Sequence, residues 1–190
     1  MPDNRETLLH LLAERSYMEG DFVLTSGARS TFYVDIKRTS YDAEGRRLMG
    51  EAIADWLESE GLRPDCVGGL TLGADAIAHA VGTALAGRGR PVHEACVRKA
   101  AKGHGRQQRI EGNFLEGDRV LVLDDVVTTG GSTLQAIEAF RDAGAEVLAA
   151  LAIVDREQGG VENIGAEDVP FAALFTIAEL KAAKAGTLSE

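Results

Sequence analysis

Two adjacent carboxylates, Asp124 and Asp125, close an apolar, β-branched run that starts at Arg119. A cluster of small residues, Thr128 to Thr133, comes next, and an amphipathic pattern then runs to Phe140. The stretch RVLVLDDVVTTGGSTLQAIEAF therefore reads as strand, loop and helix. Small residues let backbone N–H groups point inward. A loop that opens directly into a helix N-terminus holds a phosphate through those amides and the helix dipole. The loop has neither the Gly-Lys-Ser/Thr of a Walker A motif nor the glycine spacing of a dinucleotide fingerprint. Two carboxylates facing a phosphate would repel it. They fit beside one if they accept hydrogen bonds from sugar hydroxyls, so the acid pair and the loop together imply a cradle for a ribose 5-phosphate. A plainer reading, an aspartate that caps a turn, accounts for an isolated Asp-x-Thr-Gly. It does not account for an acid pair, a double Thr and a double Gly in one place. Both carboxylates are expected at an exposed strand end.

Upstream, VRKAAKGHGRQQRIEG carries Arg98, Lys99, Lys102, Arg106 and Arg109 with no carboxylate among them. A charge run is usually a solvated loop. Cations clustered against an acidic background point instead to a polyanion, and Gly103 and Gly105 suggest a segment that moves. A mobile cationic loop suits a charged leaving group that must be enclosed and then released. GGLTLGAD is a third loop where a ligand can approach the backbone, and close helix–sheet packing through glycine explains it almost as well.

These loops need elements to position them. Thr7 to Ser16 has leucines at helical spacing, and DFVLTSGARSTFYVDIKR reads as two strands around a Ser-Gly-Ala-Arg turn. Glu44 to Glu60 is a helix that stops at Gly61. PDCVGGLTLGADAIAHAVGTALA reads as strand, loop and helix, and PVHEACVRKA is a strand that runs into the polar, Gly-rich KGHGRQQRIEGNF. AEVLAALAIVDREQGG is a buried strand that ends in charge, Ala172 to Ile177 is a short strand, and a helix closes the sequence. The expected fold class is α/β, a mostly parallel sheet covered by helices on both faces, with a small N-terminal hairpin as a flap over one end. In such sheets ligands bind at the carboxyl ends of the strands. The strands ending in GGLTLGAD, VRKAAKGHG, DDVVTTGGST and VDREQGG should therefore gather on one edge. No internal repeat or linker divides the 190 residues, so a single domain is expected.

Composition excludes several classes. The net charge of −10 disfavours nucleic acid and anionic membrane as partners. The four histidines make no His-x-x-x-His pair, so no protein-ligated metal is expected. Cys66 and Cys96 lack metal-type spacing and read as buried, inert thiols of a reducing, cytoplasmic protein. No apolar run is long enough to span a bilayer, and the first 16 residues lack the apolar core of a signal peptide.

Together these motifs resemble the type I phosphoribosyltransferases, whose phosphoribosyl diphosphate signature is similar to VLVLDDVVTTGGS. Among them the sequence resembles the orotate phosphoribosyltransferases. VRKAAKGHG…IEG is similar to that family's catalytic loop, SGARSTFYVD to its orotate-contacting hairpin, GGLTLGAD to its diphosphate-side loop and VDREQGG to its late strand end. The likeness covers nearly the whole sequence in order. It implies a type I fold, with a hood and flap up to about residue 40 and a core from about 41. It implies transfer of 5-phosphoribose from phosphoribosyl diphosphate to orotate, with Mg²⁺ held mainly by substrate, in a homodimer that shares its active sites.

By that resemblance, Asp124 and Asp125 hold the ribose hydroxyls, and Val126, Val127, Thr128, Thr129, Gly130, Gly131 and Ser132 wrap the 5-phosphate. Arg98, Lys99, Lys102 and His104 meet the diphosphate, Lys102 and His104 as catalytic groups. Thr128, Arg156, Ser26 and Tyr33 contact orotate, with Arg156 the partner for its carboxylate. Thr25, Leu72 and Gly73 stand where some members carry Lys and Tyr-Lys, so this site has fewer cations. Two other readings are transfer to a purine or uracil, and a regulator that kept the phosphoribosyl site without its chemistry. Arg156 and the hairpin argue against the first, and the negative charge and lack of a DNA-binding segment against the second.

Overall fold

The computed structural model describes residues 4–23, 29–99 and 109–187. The chain starts with helix α1 (Asn4–Arg15) and a hairpin, β1 (Tyr17–Val23) and β2 (Arg29–Val34). A short helix α2 (Lys37–Ser40) leads into α3 (Ala43–Ser59). Next come β3 (Cys66–Leu70), α4 (Asp75–Gly87), β4 (His93–Val97), β5 (Ile110–Gly112) and β6 (Arg119–Val127). Helix α5 (Gly131–Asp142), β7 (Glu146–Asp155), α6 (Gly160–Gly165), β8 (Phe171–Thr176) and α7 (Ile177–Thr187) complete it.

The main sheet has the order β5-β4-β3-β6-β7-β8. All neighbours are parallel except β5, which runs antiparallel to β4. The apolar run of β6 is continuous because both faces of the strand are covered. Val120 and Val122 enter one core with Ala136, Ile137 and Phe140 of α5. Leu121 and Leu123 enter the other, with Leu48, Ile53 and Ile77 of α3 and α4 and Leu180 of α7. Alternate residues of one strand thus feed two cores.

β3 lies beside both β4 and β6, and the chain leaves it in opposite directions on its two sides. Such a reversal opens a crevice at the carboxyl ends of the two central strands, because the connecting helices diverge there. The close approach of β3 to its neighbours depends on glycine. A Cβ on Gly68 would fall on the Ala95 carbonyl of β4, and one on Gly69 on the Leu123 carbonyl of β6. At the amino ends the same strands are clamped: Arg119 donates to Asp65 from Nε at 2.8 Å and from NH2 at 2.9 Å. That guanidinium holds Asp65 down to about 2.

Four elements differ from expectation. β1 starts at Tyr17, before the expected run, because Tyr17 is buried and its ring stacks on Phe32 at 5.9 Å. The expected turn between the hairpin strands lies outside the described residues. Ile110–Gly112 ends what reads as a polar segment, yet it adds to the free edge of β4; three residues with one apolar side chain show no periodicity of their own. The short helices α2 and α6 are each under two turns and escape a periodicity search for the same reason.

Gly69→Val should cost on the order of 2 kcal/mol or more, since the clash is with backbone that cannot swing aside. Denaturant unfolding of the variant checks this. An unchanged midpoint would show that β3 and β6 have room to spare.

Candidate active site

The crevice between β3 and β6 is a cleft of about 680 Å³, lined by Lys37, the loop Leu70–Gly73, Cys96, Arg98, Lys99, Glu111, the acid pair and Ser132. Three of the four expected strand ends meet there. The fourth, after β7, adjoins the loop after β6, where the Arg156 N–H donates to the Val127 carbonyl at 2.9 Å.

The two aspartates differ sharply. Asp125 is half-buried, but Asp124 is only 5 % exposed, which corrects the expectation of two exposed carboxylates. The Thr133 hydroxyl donates to Asp124 Oδ2 at 2.7 Å, and the Asp125 N–H donates to Asp124 Oδ1 at 2.9 Å. Burial, and then the charge of Asp125, push Asp124 up to about 7. Asp125 is the more exposed carboxylate of the pair, and Asp124 is held beneath it. Sequence singled out the pair; it could not separate the roles, because depth depends on how α5 packs.

The Thr128–Ser132 loop enters α5 through Gly130, whose φ of +84° suits only a residue without Cβ. No side chain caps the helix, so its first N–H groups remain available to an anion. Asn163 of α6 steadies the loop by donating from Nδ2 to the Thr129 carbonyl at 2.9 Å. Gly131 and Ser132 are exposed, Thr128 is half-buried and Thr129 exposed. Val126 and Val127 continue β6, and the Val127 side chain is buried in the core, so it faces away from the cleft.

Across the cleft, Arg98 donates to Glu111 Oε1 at 2.7 Å, and Arg109 lies 3.8 Å from Glu138. Two of the five clustered cations are therefore already paired, Arg98 by Glu111 just past the last of them and Arg109 by Glu138 of α5. Lys99 also faces the cleft. Lys102, His104, Arg106, Ser26 and Thr25 lie outside the described residues. Cys96 is half-buried in the cleft wall, not fully buried as expected, while burial drives the Cys66 thiol up to about 12. Leu72 is exposed on the loop after β3, and a Cβ on Gly73 would sit 2.8 Å from Asp125 Oδ1.

Arg156 follows β7 and is 9 % exposed; its guanidinium lies 4.7 Å over the Phe32 ring. Burial lowers its pKa from the ordinary guanidinium value, and its buried Nε has no hydrogen-bond partner among the described residues. A cation held so is ready for an anion. Lys181 of α7 places its Nζ 4.4 Å over the same ring. Tyr33 lies on the opposite face of β2, with its ring 5.6 Å from that of Phe22. Phe32, which sequence reasoning passed over, is thus the hairpin residue that meets Arg156. The one available signal was its alternation with Tyr33. Among the described residues no group of three His, Cys, Asp or Glu side chains could hold a metal ion.

The phosphoribosyl transferase domain model matches residues 46–173. The orotate phosphoribosyltransferase of Aquifex aeolicus is 45% identical over 179 residues, which cover 93% of this chain and 97% of that protein. A crystal structure of the Mycobacterium tuberculosis orotate phosphoribosyltransferase, in complex with Fe(III) dicitrate, matches with a TM-score of 0.83 and 38% identity. It covers 94% of this chain and 99% of that one. The same enzyme in complex with 5-phospho-alpha-D-ribosyl 1-diphosphate matches with a TM-score of 0.79 and 34% identity, at the same coverage.

Asp124 makes a pH signature in stability. A carboxyl raised in the folded state contributes stability that is fully present below its unfolded pKa, ~3.9, and is lost as pH rises through about 7. Asp124→Asn should flatten the stability–pH curve across that window and melt no lower than wild type at pH 8. Thermal melts from pH 4 to 8 check it; a variant curve parallel to wild type would show that Asp124 is already ionised.

Proposed function

The chain belongs to the orotate phosphoribosyltransferase family, and we propose that the cleft between β3 and β6 is where its reaction takes place. The enzyme has the type I phosphoribosyltransferase fold. It transfers the 5-phosphoribosyl group of 5-phospho-α-D-ribose 1-diphosphate to orotate, giving orotidine 5'-phosphate and diphosphate, a step of pyrimidine biosynthesis. One observation carries the placement: a single crevice gathers a sugar-hydroxyl acceptor, an uncapped helix N-terminus and a cationic strand end.

In this reading the backbone from Val126 to Ser132 takes the 5-phosphate at the start of α5. Asp125, backed by Asp124, accepts hydrogen bonds from the ribose hydroxyls. Arg98 and Lys99, with Lys102 and His104, meet the diphosphate. Arg156 pairs with the orotate carboxylate, Thr128 contacts the base, and the hairpin with Ser26 and Tyr33 closes over it. N1 of orotate attacks C1 of the ribose as the bond from C1 to the diphosphate oxygen breaks, with inversion at C1. Charge builds on the departing diphosphate, and Lys102 and His104 stabilise it. Excluding water protects the activated sugar from hydrolysis.

The cleft offers hard oxygen donors, Asp125 and the Thr71 hydroxyl among them, beside the expected phosphates, a setting that fits Mg²⁺ carried mainly on substrate oxygens. When bound, the ion neutralises part of the diphosphate charge. The enzyme works as a cytoplasmic homodimer of single-domain chains, with a hood up to about residue 40 and a core beyond it. Among the described residues no helix is long and apolar enough to cross a membrane.

Orotate should be consumed in the presence of phosphoribosyl diphosphate and Mg²⁺, followed by absorbance. Uracil, which leaves Arg156 without its carboxylate, should be poorer by on the order of 10²-fold or more. Equal turnover of the two bases would remove Arg156 from base recognition.

Shared sites are tested by mixing. Lys102→Ala spoils the donated loop and Asp124→Asn/Asp125→Asn the receiving cradle, so a mixed dimer collects both lesions in one site and frees the other. Random exchange of equal amounts should restore activity to about a quarter of wild type. Turnover is measured after exchange is verified with tagged subunits. Activity that stays at the sum of the two mutants would mean each site is built from one chain.

A further inference from the structure

The cleft has a cation that the sequence motifs do not mark. Lys37 opens α2, just after the hairpin, and its side chain forms part of the wall that also holds Asp125 and the Thr71–Gly73 loop. Asp35 fixes it twice: Lys37 Nζ lies 2.9 Å from Asp35 Oδ1, and the Lys37 N–H donates to the same oxygen at 3.2 Å. The side chain is still 41% exposed, so its ammonium can take a second anionic partner from the cleft. The hydrogen bond to Asp35 raises its pKa, and the Asp125 charge adds to that, so Lys37 stays protonated throughout the neutral range.

The neighbours of Lys37 on that wall explain why a cation is wanted here. At Gly73 the space a side chain would leave from is filled by the Asp125 carboxylate. Leu72 beside it is apolar and exposed, so the loop after β3 brings no positive charge to the cleft. Arg98, on β4's side, is already engaged by Glu111. A diphosphate entering between these walls meets an acid at Asp125 and needs a cation close by to offset it.

We propose that Lys37 is a substrate-binding residue that contacts the diphosphate of phosphoribosyl diphosphate, supplying from the hairpin–α2 junction the charge that the loop after β3 lacks. The assignment rests on the cleft being the active site. Lys37 also ties diphosphate binding to the N-terminal hairpin through Asp35, whose N–H donates to the Ser16 carbonyl at 2.9 Å.

The test is calorimetric titration of inorganic diphosphate with Mg²⁺, and separately of ribose 5-phosphate, into wild type, Lys37→Ala, Lys37→Met and Lys37→Arg. Diphosphate binding needs no base, so it reads Lys37 whether or not orotate proves to be the acceptor; orotate turnover by wild type tests that reading separately. Loss of a charge-assisted contact should weaken diphosphate about tenfold or more in the Ala and Met variants. Arg should retain affinity within about threefold, and ribose 5-phosphate should bind all four proteins alike. Lys37→Met keeps the aliphatic stem, so a packing defect confined to Lys37→Ala does not decide the matter. The proposal is overturned if Lys37→Met binds diphosphate as wild type does. It is equally overturned if both ligands weaken together, because Lys37 would then act only by holding Asp125.

Discussion

The close contact between β3 and β6 is the constraint on which the site depends. Two parallel strands whose connections diverge leave a crevice at their carboxyl ends, and its walls are whatever residues follow those strands. Here Gly68 and Gly69 admit the neighbouring carbonyls, so the Thr71–Gly73 loop sits against Asp125 with no side chain between them. A bulkier β3 would separate the walls and break up the constellation. The glycines of that strand serve packing, and the glycine of the loop serves the cleft.

Burial then divides two identical side chains. Asp124, covered by α5 and held by Thr133, is a carboxyl that desolvation and the charge of its neighbour push up to about 7. Asp125, one residue on, is half-buried in the cleft wall, and its Oδ1 accepts from the Val126 N–H at 2.8 Å.

The hairpin joins this arrangement through an aromatic ring. Phe32 packs in the core with Tyr17 and lies beneath two cations, Arg156 from the end of β7 and Lys181 from α7. Cation–π contact holds the Arg156 guanidinium in place without neutralising it. The same hairpin leads through Asp35 to Lys37 at the start of α2, so one N-terminal segment both meets Arg156 and adds to the cleft wall.

Much of this was legible in the residue pattern. The strand–loop–helix units, the mostly parallel sheet, the small-residue loop that opens α5 and the acid pair beside it follow from local periodicity and from residue types whose chemistry is local. Continuous apolar runs imply strands covered on both faces, and a Thr/Gly cluster before a helix implies an anion site. The pattern does not carry β5, which exists because β4 has a free edge, or the short helices α2 and α6. Nor does it carry the burial of Asp124, the pairing of Arg98 with Glu111, the cation–π hold of Phe32 on Arg156, or the place of Lys37 in the cleft. Each of these depends on groups remote in sequence being brought within a few ångströms. Solvent exclusion and Coulomb interaction are set by that distance, so only the tertiary structure could decide them.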